Sequence, residues 1–76
     1  MNKKVYTVKG SEDGILGVYT SVIKAWRRAK EYCLVNYKEE DLPTLDETKA
    51  IFRDHDWMDM GDGFGMAEIE AHYLNQ

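Results

Sequence analysis

Val22, Ala25, Trp26, Ala29, Tyr32 and Cys33 recur at a spacing that, at 100° per residue, puts all six on one side of a helix. Lys24, Arg27, Arg28 and Glu31 fall on the opposite side. A helix this short and one-sided is not stable alone. It needs an apolar surface to lie on, so the rest of the chain must build one. Ala25 and Ala29 are small and allow close approach, while Trp26 and Tyr32 fill the flanks. That shape suits a flat surface, which is a sheet.

The remaining segments supply strands. Residues 4–9, Lys-Val-Tyr-Thr-Val-Lys, are rich in β-branched and aromatic types. Gly10 to Gly14 form a five-residue loop with glycine at both ends, suited to a hairpin. Ile15 to Tyr19 make the return strand; Gly17 within it points to a bulge or a close helix approach. Thr20 or Ser21 offers an N-cap for the helix. Near its far end, Leu34 and Val35 leave the apolar pattern, either because the helix stops there or because they pack under the next segment.

Tyr37 to Pro43 is a polar connection, and proline disfavours a helical Leu42. Thr44-x-x-Glu47 has capping-box spacing, and Leu45, Thr48, Ile51 and Phe52 form a short stripe. The pattern predicts a second helix over 45–54; the alternative is a strand, because Lys49, Ile51 and Arg53 alternate with Ala50, Phe52 and Asp54. Trp57 to Met60 reads as a short strand and Gly61 to Gly65 as a flexible turn. From Met66 to Leu74, Ala67, Ile69, Ala71 and Tyr73 alternate with Glu68, Glu70 and His72. Composition there permits a helix, but a period of two predicts a half-buried strand. The expected fold is α+β: a small antiparallel sheet in the order β-β-α-(α)-β-β, with the amphipathic helix across one face.

A chain of 76 residues makes one small domain spanning 1–76. At this length folding buries roughly 60% of the unfolded surface, leaving little room for both a core and a deep pocket. Cys33 is the single cysteine, so no intramolecular disulfide forms, which fits a reducing compartment. The basic N-terminus has no apolar run behind it and no stretch approaches a membrane span, so a cytoplasmic protein without membrane contact is expected.

Charge is divided along the chain. Residues 1–36 carry seven cationic against three anionic side chains, and residues 37–76 carry three against eleven. A basic end followed by an acidic end looks built to meet something charged. Asp54 to Gly63 is the most unusual stretch, with four carboxylates and His55 within ten residues. EF-hand spacing fails there, so a solvated acidic loop is expected rather than a calcium site, and no cofactor is implied. The same stretch interleaves Trp57, Met58, Met60, Phe64 and Met66 with acids, as an interface anchored by an aromatic would; the alternative is that Trp57 and Phe64 complete the core. Asp54, Asp56, Trp57, Asp59, Asp62 and Phe64 are the expected partner-binding residues, suited to a basic protein surface. The alternative is that the acids imitate phosphates in a basic groove. Lys24, Arg27 and Arg28 form an alternative basic face for nucleic acid, or for the acidic half of another copy in a homo-oligomer. The overall negative charge opposes direct nucleic-acid binding. His55 and His72 lack a nucleophile or ligand spacing around them, and Cys33 lies on the apolar helix face as an inert thiol; no enzymatic activity is expected.

Val5-Tyr6, Gly17-Val-Tyr-Thr-Ser21, Lys24-Ala25-Trp26 and the closing Ile69 to Leu74 strand resemble a recurring pattern in small phage and mobile-element proteins. There a hairpin feeds G-x-Y-[ST]-S into a helix. The likeness covers about half the chain, mainly residues 4–29, and its residues are structural. It implies a phage accessory protein in the host cytoplasm that binds a host protein, for example inhibiting a nucleic-acid-processing or defence complex.

Overall fold

A computed structural model describes residues 3–60 and 66–74. The elements run β1 (Lys3–Gly10), β2 (Gly14–Tyr19), α1 (Val22–Cys33), a single 3₁₀ turn (Glu39–Asp41), α2 (Leu45–Asp54), β3 (Trp57–Met60) and β4 (Ala67–Leu74). The four strands form one antiparallel sheet, as the α+β reading expected, in the order β2-β1-β4-β3.

The hairpin is tighter than its five-residue loop suggests. Gly10 pairs with Gly14, so only Ser11, Glu12 and Asp13 turn the chain. Gly14 has φ +70°, a conformation glycine adopts without a Cβ penalty. Val8 faces Gly17 while Lys9 faces Ile15, which leaves Leu16 as the extra residue of a bulge. Gly17 also leaves space for the Tyr19 ring, whose hydroxyl would lie 2.5 Å from an added Cβ.

Both helices start on local signals. Ser21 caps α1 by accepting the Lys24 N–H, and Thr44 and Glu47 form a reciprocal capping box at α2. Leu42 is extended ahead of Pro43, as proline demands. Helix α1 ends at Cys33 with Leu34 as its C-cap, and Leu34 and Val35 are exposed beyond it.

Helix α1 lies on the sheet with Ala25, Ala29 and Cys33 fully buried. Beneath them Val8, Ile69 and Met58 form one row across three strands, and Gly10, Ala67 and Met60 form the next. Helix α2 packs beside α1 and over β3, and Phe52 meets Tyr6 edge-on at 5.3 Å. Thr48 is buried, and its hydroxyl is satisfied by donating to the Thr44 carbonyl. The core is therefore one layer between the two helices and one face of the sheet.

Candidate functional site

Strand alternation leaves the other sheet face uncovered by the described residues. Lys3, Val5, Thr7 and Lys9 of β1, Glu68, Glu70 and His72 of β4, and Trp57 and Asp59 of β3 alternate with the core positions and therefore point away from the helices. Cross-strand pairing orders them into rows. Trp57, Glu70, Thr7 and Val18 form one, and Asp59, Glu68, Lys9 and Ile15 form the next. Val5 lies opposite His72 and is buried even on this face.

This face carries Lys3 and Lys9 on β1, while the part around Trp57 is both apolar and acidic. Trp57 is 48% exposed and Val18 57%, at opposite ends of their row; three strand spacings put them about 14 Å apart. Glu70 lies between them and pairs with His72, with Oε1 2.8 Å from Nε2. Asp59 sits directly opposite Glu68, a like-charged cross-strand pair that costs stability. Its Oδ1 is buried and has no hydrogen-bond partner among the described residues. On its other side Glu68 faces Lys9, so along this row the charges run acid, acid, base toward β2.

The expected partner-binding residues separate into three groups. Trp57 and Asp59 share the open face. Asp54 ends α2 and Asp56 lies between α2 and β3, both exposed; Asp56 approaches Lys4 at 4.0 Å, on the helix side of the sheet. Asp62 and Phe64 lie outside the described residues, as does the turn over 61–65. Glu68, Glu70 and His72, absent from that expected set, complete the surface around Trp57. Their alternation was visible in the sequence, but only the pairing of β4 with β3 brings them to the tryptophan.

On the outer side of α1, Lys24 and Arg27 are exposed. Arg28 pairs with Glu31 at 3.4 Å, while Lys30 pairs with Glu39 and lies 4.7 Å over the Trp26 ring. Two of the four cations of this helix are thus engaged within the protein, which weakens it as a phosphate-binding strip. Two shallow depressions flank the same helix, of about 240 and 220 Å³, both below the usual range of small-molecule sites. The Cys33 thiol is buried, and its pKa is raised by that burial and then by the Asp59 carboxylate, so it stays a neutral thiol. Among the described residues no three His, Cys, Asp or Glu side chains converge to hold a metal ion, and no helix is long and apolar enough to cross a membrane.

No protein-family model, curated protein or solved structure matches this chain.

Proposed function

We propose that this is a non-enzymatic binding protein that docks onto a basic protein surface with the open face of its sheet. A half-exposed tryptophan on an uncovered face, flanked in register by acids, carries this reading. Trp57 supplies the buried area that anchors an interface, and Asp59, Glu68 and Glu70 steer a cationic partner toward it. Arginine and lysine on the partner would also offset the repulsion between the facing Asp59 and Glu68, which gives binding an electrostatic gain. The resemblance of residues 4–29 to phage accessory proteins makes the partner a host protein in the cytoplasm. A basic surface suits a nucleic-acid-processing or defence complex that the protein would inhibit.

The test is affinity capture from host lysate by the wild type, Trp57→Ala/Asp59→Lys and Arg27→Glu/Arg28→Glu, each first checked for an unchanged circular dichroism spectrum. A basic protein retained by the wild type and by the helix variant, but lost by the Trp57/Asp59 variant, is the expected result. Loss only in the Arg27/Arg28 variant would move the site to α1 and defeat the reading.

A further inference from the structure

The two edges of the sheet are finished differently. β3 is four residues long and carries Asp59, so it is short and charged, two devices that discourage strand addition. β2, Gly14–Tyr19, has neither a charged residue nor a proline, and among the described residues no strand pairs with its outer side. Ile15 and Val18 on it are 65% and 57% exposed. An uncharged edge with bare aliphatic side chains is a template for another strand.

We propose that this edge pairs with β2 of a second copy, antiparallel, about a two-fold axis between Leu16 and Gly17. The bulge makes that symmetry possible. Ile15 pairs with Lys9 and Val18 with Thr7, so both face the open side although they are three residues apart. Gly14, Gly17 and Tyr19 take helix-side positions, and Leu16 packs against the core. From 14 to 19 the pattern is helix side, open, helix side, helix side, open, helix side, which reads the same in both directions. Residues opposite one another in an antiparallel pair share a face. The two-fold therefore sets each Ile15 against Val18 of the other copy and Gly14 against Tyr19, with no side chain on the wrong face. In an unbulged strand, residues 15 and 18 would lie on opposite faces.

Charge favours a second copy as the occupant. Carried one residue past the strand ends, the same register brings Asp13 alongside Thr20 of the other copy, with Glu12 beside it at the hairpin tip. That is where α1 begins, with no acid in its own first turn and with Lys24 exposed. The acids of one hairpin tip thus meet the positive end of the other copy's helix, and they do so twice. The result is an eight-stranded sheet with a Trp57 near each outer edge, so self-association leaves the proposed docking face free.

Sedimentation velocity from about 1 µM to about 1 mM tests this. The 8.8 kDa chain should shift from monomer to dimer, and Val18→Lys should weaken that shift at least tenfold while keeping the circular dichroism spectrum. Trp57→Ala should dimerise as the wild type does. In a Cys33→Ala background, a mixture of Ile15→Cys and Val18→Cys should cross-link faster than either alone. Opposed positions sit about 5 Å apart, whereas like positions are offset by about 10 Å along the strands. A chain that stays monomeric throughout, whatever else it captures, overturns the proposal. So does a Val18→Lys dimer of undiminished strength, or cross-linking no faster in the mixture.

Discussion

The indole N–H of Trp26 donates to the Pro43 carbonyl at 2.9 Å, tying the outer flank of α1 to the segment that delivers the chain into α2. Lys30 stacks on the same ring and pairs with Glu39, so the connection is held by two neighbouring side chains of one helix. Trp26→Phe keeps most of the ring but removes the donor, leaving a carbonyl without its partner. We expect a loss of about 1–2 kcal/mol, read as a lower urea midpoint at unchanged slope.

Gly10 lies beneath Tyr32, and a methyl group there would sit 2.6 Å from the ring carbon Cζ. The ring must move, which also disturbs its hydroxyl where it accepts the Glu12 N–H at 3.3 Å. Gly10→Ala should therefore cost about 1–3 kcal/mol. In a Tyr32→Ala background the same change should cost distinctly less, a coupling that a double-mutant cycle in thermal melts would measure.

The Cys33 thiol is held above its usual pKa by burial first and by Asp59 second. The unfolded chain ionises this thiol at lower pH than the native one and so binds fewer protons in alkaline solution. The thiol's contribution is fully present below the unfolded pKa and is lost as pH rises through the folded one. Melting temperature should therefore fall more steeply above about pH 9 in the wild type than in Cys33→Ala. Parallel curves for the two proteins would contradict this.

Ile69 and Trp57 lie on adjacent strands but on opposite faces of the sheet. Ile69 is fully buried between Val8 and Met58, so Ile69→Ala should cost about 2–5 kcal/mol. Trp57→Ala, half-exposed on the open face, should cost about 1–2 kcal/mol, below what its size would imply if fully buried. Guanidinium titrations of the two variants would separate a core position from a surface held for binding.

Much of the architecture was legible because its causes are local. Pro43, Thr44 and Glu47 start α2 within a single turn, and its bounds match the stripe of Leu45, Thr48, Ile51 and Phe52. The alternation of Ala67 to Tyr73 assigned the faces of β4. The 3₁₀ turn at Glu39–Asp41 was not legible, because one turn carries no apolar period.

The site was legible only in part. Alternation stated that Trp57 and Asp59 share one face of β3 and Met58 and Met60 the other, but not which face turns inward. Pairing of Met58 with Ile69 and Met60 with Ala67 decided it, since those partners face the helices and a strand must match the phase of its neighbour. The same pairing detached Asp54 and Asp56 from Trp57 and brought Glu68 and Glu70 to it. Periodicity, caps and turns act over a few residues, so the sequence by itself determined the elements and their apolar sides. Which acids surround Trp57 depends on how two separate strands pair, and only the tertiary register decided that.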